Sequence, residues 1–138
     1  MKSAKINSVA VGLAGGLFWL WQAGWYTLFS RQWLTGVGKT MAELRGGNPV
    51  LPYLTALISD VVLAYVVAWA IARTGEQTAA RGAGFGLLLW IGLIATTLAT
   101  NYSFEARSLQ FYVINAGCSL AGLVLVGAVV GAWRKTGA

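Results

Sequence analysis

The side chains able to do chemistry are few, and most lie in one stretch, ATNYSFEARSLQFYVINAG, from Ala99 to Gly117. It holds Asn101, Glu105, Arg107 and Asn115 among two tyrosines and two phenylalanines. Glu105 and Arg107, two residues apart, place an acid beside an electrophile. In a tight loop that spacing makes a local ion pair of small energetic value rather than a catalytic pair. Cys118 and Ser119 follow at once and are nucleophiles by type, but the chain has no histidine to activate either. Absence of histidine also removes the commonest metal ligand, the usual haem ligand and the usual general base. The last candidate is Asp60, an acid inside an apolar run. These residues predict no catalytic site, no metal and no cofactor, so a protein that is not an enzyme.

The elements that must position them are membrane helices. Of 138 residues, 57% are hydrophobic and only 10% charged, with a mean hydropathy of +0.66. A water-facing domain needs about 25% charged residues. Four stretches are long and nearly free of charge, about 6–29, 51–72, 82–104 and 108–133. Each reaches the roughly 20 residues that a helix needs to cross hydrocarbon. The expected fold is all-α: one domain over 1–138, an integral membrane four-helix bundle. The first stretch follows the basic start MKSAK but runs past the length of a secretory signal and lacks a small-residue cleavage pattern, so it reads as a retained span.

The net charge of +6 does not point to nucleic acid, because the basic residues cluster at helix ends where they set membrane orientation. Lys2, Lys5, Arg73, Arg81, Arg134 and Lys135 would lie inside, against Arg31, Lys39, Arg45 and Arg107 outside. That bias favours both termini in the cytoplasm of a bacterial inner membrane, and its modest size leaves room for dual insertion. The one cysteine excludes an internal disulfide.

The longest loop, from Ser30 to about Val50, repeats Leu34, Val37, Met41 and Leu44 at helical steps, which predicts a short interfacial helix. Thr40 and Glu43 fit a capping box. GVGKT resembles the tail of a phosphate-binding loop, but Trp33 stands where that motif requires glycine. In the spans, Gly12, Gly16 and Ala23 form one small-residue face, with Gly15, Trp19, Gln22 and Tyr26 on the adjacent one. Ala56, Asp60, Ala64, Ala68 and Ala72 form a second stripe, which turns Asp60 inward. Gly82, Gly86, Gly122, Gly127 and Gly131 read as helix-packing glycines. Trp25, Tyr26 and Trp33 read as an interfacial aromatic belt.

With alternating spans, Gln22, Asp60, Thr97, Asn101 and Asn115 reach similar depth, with Ser119 one turn beyond Asn115. They predict a polar layer in the outer third of the bundle, roofed by Tyr26, Tyr53, Glu105 and Arg107. An ionised Asp near a helix centre costs about 2.5–3.5 kcal/mol. Asp60 is therefore expected to be protonated, hydrogen-bonded by Asn101, Asn115 or a tyrosine, or paired with Arg107. The layer serves either as an internal network that fixes helix packing or as an outward-facing binding cavity.

The combination GWYTLF…W, NP..PY, Trp90, N..FE.R, INAG and the terminal G...G.W resembles a family of small bacterial and fungal membrane proteins, domain of unknown function 1761. Trp25, Tyr26, Phe29, Asn101, Phe104, Glu105, Asn115 and Gly117 match its pattern. The resemblance implies four spans and no established activity. Where the family commonly has Tyr-His after NAG, this chain has Cys118-Ser119. The leading expectation is a binding protein, an accessory or interaction subunit with a membrane-protein partner or a second copy in the lipid bilayer. The alternative is a small oligomeric transporter or channel built around Asp60.

Overall fold

The computed structural model describes residues 6–74 and 77–133; the charges at Lys2, Lys5, Arg134 and Lys135 lie outside them. Helix α1 spans Ser8–Leu28, α2 Ser30–Val37, α3 Met41–Arg45 and α4 Leu51–Ile71. After a turn come α5, Ala79–Leu89, a π-helical segment, Trp90–Ala95, and α6, Thr96–Phe104, which run on as one rod. Helix α7 spans Leu109–Ala132. Among the described residues there is no strand. Three helical rods, Leu51–Ile71, Ala79–Phe104 and Leu109–Ala132, are long and apolar enough to cross a membrane. The 21-residue α1 packs among them and interrupts its apolar run with Trp19, Gln22 and Tyr26.

Start signals are local and sequence-encoded. Asn7 accepts from the Val9 and Ala10 amides, Thr78 from Arg81 and Ser108 from Phe111, each satisfying N–H groups that the first turn leaves orphaned. Asn48 accepts from Val50 and Leu51 ahead of α4, and Pro52 falls in the first turn, where its missing N–H costs nothing. The expected capping box forms: Thr40 N donates to Glu43 at 2.8 Å and Glu43 N to the Thr40 hydroxyl at 3.2 Å. The expected single interfacial helix is instead two. Gly38, at φ +75°, ends α2 in the left-handed conformation, so α2 and α3 take separate directions.

Helix α7 is the axis of the bundle. It buries Phe111, Ile114, Cys118, Leu123, Val126 and Val130 against α1 and α4 on one side and α5 on the other. The main core joins Val11, Ala14 and Phe18 of α1, Ala64, Val67 and Ile71 of α4, and Leu123, Val126 and Val130 of α7. The Ala56–Ala72 stripe faces inward as expected, with Ala64 fully buried, while Leu54, Ile58, Val62, Val66 and Trp69 face out. The α1 stripe does not. Gly12 and Gly16 have nothing near them, and it is Gly15, on the adjacent face, that meets the Val61 backbone. Small residues permit close approach but do not choose the partner; here the bulk of Phe18, seated on Gly122, sets the rotation of α1.

The closest approach is between α5 and α7. Thr78 lies beside Gly131, Gly82 beside Gly127 and Gly86 beside Leu123, at four-residue steps along an antiparallel pair. A Cβ on Gly82 would fall on the Gly127 carbonyl, and one on Gly127 would fall on the Gly82 carbonyl. The π segment ends this register. Its i→i+5 turns insert an extra residue, and beyond it α6 meets α7 at Tyr102.

Candidate functional site

The polar side chains gather into two neighbouring clusters around the first half of α7. In one, the Tyr26 hydroxyl donates to Asn115 Oδ1 at 2.7 Å, and Asn115 Nδ2 donates to the Tyr102 hydroxyl at 3.2 Å. One asparagine on α7 thereby ties α1 to α6. Tyr102 also packs against Phe111 and Tyr112, with ring centroids at 5.1 and 6.4 Å. In the other cluster, Asp60 of α4 is 4% exposed and the Gln22 amide of α1 lies against its carboxyl. The buried Cys118 of α7 lies beside Tyr26.

Three indoles fasten the surrounding helices to the α7 backbone. Trp25 Nε1 donates to the Ile114 carbonyl at 2.9 Å and Trp21 Nε1 to the Cys118 carbonyl at 3.2 Å. Trp90 Nε1, at the start of the π segment, donates to the Ala116 carbonyl at 2.9 Å and to Ser119 Oγ at 3.1 Å. The Tyr112 hydroxyl donates to the Ala95 carbonyl at 3.1 Å, where the π segment ends. These carbonyls are acceptors with a spare lone pair, and an apolar surrounding gives an indole N–H nowhere better to go. Trp25 and Tyr26 therefore turn their polar tips onto α7.

Four of the expected site residues are placed differently. Thr97 and Asn101 lie on the outer surface of α6, not in the layer; the Thr97 hydroxyl bonds its own helix at the Leu93 carbonyl, 2.6 Å away. Glu105 lies just beyond the end of α6 and is exposed as well. Tyr53 is 64% exposed, and only its carbonyl takes part, accepting from Trp19 Nε1 at 3.1 Å. Arg107 reaches away from Asp60. It pairs with Glu105 at 3.0 Å and donates to the Gly36 carbonyl at 2.9 Å, at the C-terminal end of α2. The polar side chain that Asp60 faces is Gln22, not Asn101, Asn115 or Arg107. Asp60 is also the tenth of the 21 residues of α4, so it lies near mid-helix rather than in an outer third.

Trp21, Trp90, Tyr102 and Tyr112 were not legible as site residues. Their signal was the count of aromatic side chains carrying a polar tip inside apolar runs, each of which needs a partner when buried.

Arg107 also decides where the first loop sits. Its guanidinium lies 5.2 Å from the Phe111 ring centre, and Gly36 rests on that ring so closely that a Cβ would overlap it. A cation at a helix C-terminus satisfies orphan carbonyls and favours the helix dipole. Arg107→Ala should release α2 while leaving the bundle intact. The cost is about 1 kcal/mol for this half-exposed contact, or roughly fivefold faster amide exchange over Ser30–Val37. Exchange mass spectrometry checks it; equal protection in α2 would mean that the apolar contacts alone hold the loop.

Helices without strands, three of them membrane-length, and aromatic and amide side chains turned onto a central helix define an all-α membrane protein. The chain belongs to the family described as Protein of unknown function (DUF1761), which matches residues 9–131. No curated protein and no solved structure matches it.

Proposed function

We propose that this protein is a non-enzymatic, four-span protein of the bacterial inner membrane, with both termini cytoplasmic, that acts as an interaction subunit. The observation that carries this reading is the outer face of α6. Thr97, Asn101 and Phe104 are all exposed there, Phe104 at 90%. Threonine hydroxyls in this helix turn back to their own carbonyls, at Gly92, Leu93 and Thr96. The Asn101 carboxamide does not, and makes no side-chain hydrogen bond among the described residues. An amide on a membrane helix finds its donors and acceptors on another helix, where such a contact is worth about 1 kcal/mol.

A photo-crosslinking residue at position 101, in native membranes, should give an adduct with a second membrane polypeptide. One at Ile58, on the lipid-facing side of α4, should not. Intact-complex mass spectrometry then separates a foreign partner from a second copy of this chain. A monomer with no adduct from position 101 would overturn the proposal. The buried Asp60 supports a second reading, a small oligomeric transporter, in which Asp60→Asn abolishes flux in a protein that still folds.

A further inference from the structure

Asp60 is the one aspartate in the chain. It is buried at the middle of α4, and its Oδ2 has no hydrogen-bond partner among the described residues. Gln22 Oε1, on the side chain that faces it, is buried and equally without a partner. An amide beside a carboxylate can complete only half of such a pair. Its N–H₂ can serve only one carboxylate oxygen, and two buried acceptors, Oδ2 and Oε1, have no donor among the described residues. Each buried acceptor left so has lost its water without gaining a bond, and the loss is larger for a charged one. A single proton removes both defects. Placed on Oδ2, it makes a hydroxyl that can donate to Oε1 while the amide N–H₂ donates to Oδ1, closing a cyclic acid–amide pair with no net charge.

We propose that Asp60 and Gln22 form a proton-binding site inside the bundle, the proton bridging Asp60 Oδ2 and Gln22 Oε1. The neighbouring elements offer no competing charge. Helix α1 presents Gln22 and Tyr26, and α7 presents the Cys118 thiol. The single titratable side chain of α5 is Arg81, exposed in its first turn, and the ion pair found among the described residues is Arg107 with Glu105. An alkali ion would need several more hard oxygen ligands, and a thiol is a poor one. The proton site is independent of the interaction-subunit reading: either stands if the other fails.

Because Asp60 is unique, labelling aspartate with ¹³C at its carboxyl carbon reports this one group in the wild-type chain. Infrared spectra of the protein in lipid nanodiscs at pH 7 should show the ¹³C=O stretch of a hydrogen-bonded carboxylic acid. The band should be the same in sodium, potassium and choline buffers. Gln22→Leu should shift it to the position of a free acid. Asp60→Asn, whose amide N–H can take the place of the acid O–H, should melt within a few degrees of wild type. A carboxylate band at pH 7 would overturn the site, as would an acid band unmoved by Gln22→Leu. A band that changes with the alkali ion would assign the site to a metal cation instead. If Gln22→Leu does not fold, Gln22→Met, which keeps the length and loses both polar groups, makes the same comparison.

Discussion

Gly127→Val is expected to leave no monodisperse folded protein after extraction, and Gly82→Val to do the same. At both positions the added Cβ meets backbone, the carbonyl of the other glycine, so no side chain can swing aside. Helices α5 and α7 must then move apart over their whole contact. That loses the dispersion of a close-packed pair and its Cα–H···O contacts, and it draws Trp90 away from the Ala116 carbonyl. Overpacking of this kind costs about 3 kcal/mol or more where the obstacle is rigid. The two glycines should also fail as Gly→Ala, since the clash begins at Cβ. Gly84, on the same helix, is the control: nothing lies within 4 Å of its Cβ position. Gly84→Ala should be neutral or stabilise by up to about 1 kcal/mol through helix propensity. Size-exclusion profiles and thermal melts in one detergent measure all five variants. Wild-type melting of Gly127→Ala would mean that the two backbones are not in contact.

Asn115→Leu should lower stability by about 2 kcal/mol, the second largest effect expected of a single change here. Two bonds are lost at once, from the Tyr26 hydroxyl and to the Tyr102 hydroxyl, and they tie different helices to α7. Intramembrane hydrogen bonds average about 0.6 kcal/mol each and reach about 1.7. The remainder comes from two tyrosine hydroxyls left in apolar surroundings, Tyr26 being only partly exposed. A double-mutant cycle with Tyr26→Phe isolates the 2.7 Å bond. The two changes should combine less than additively by about 1 kcal/mol, as expected of groups in direct contact. Additive losses would assign the Asn115 effect to packing. Melting curves of the four proteins suffice, and the α5–α7 glycine contact, well along α7 from Asn115, should be unaffected.

Much of the architecture was legible because its signals are local. Length and the near-absence of charge mark the three membrane-length helices; Asn7, Thr40, Thr78 and Ser108 mark starts through bonds made within four residues of themselves. The inward turn of Asp60 followed from the strict four-residue repeat of small residues around it. Gly82 and Gly127 were legible as packing residues, though not as each other's partner.

The site was less legible, because helical spacing says which residues share a face and not what that face meets. Thr97 and Asn101, one turn apart on α6, both lie outward beyond the π segment at Trp90–Ala95. No residue type announces that segment: WIGLIA is an ordinary apolar run. Trp25 and Tyr26 have the composition of an interfacial belt, and only the nearness of α7 gives their N–H and O–H groups a protein acceptor instead of a headgroup.

The sequence by itself determined that the chain makes long apolar helices, where they begin, and that an unpaired acid must be hidden among them. Those follow from transfer free energies and from bonds closed within one turn. Only the tertiary structure decided that Gln22 is the side chain Asp60 faces, that Asn115 joins Tyr26 to Tyr102, and that Arg107 holds α2. Each such pairing depends on the rotation of one helix against another, and that rotation is set by the fit of Phe18 on Gly122 and Gly82 on Gly127.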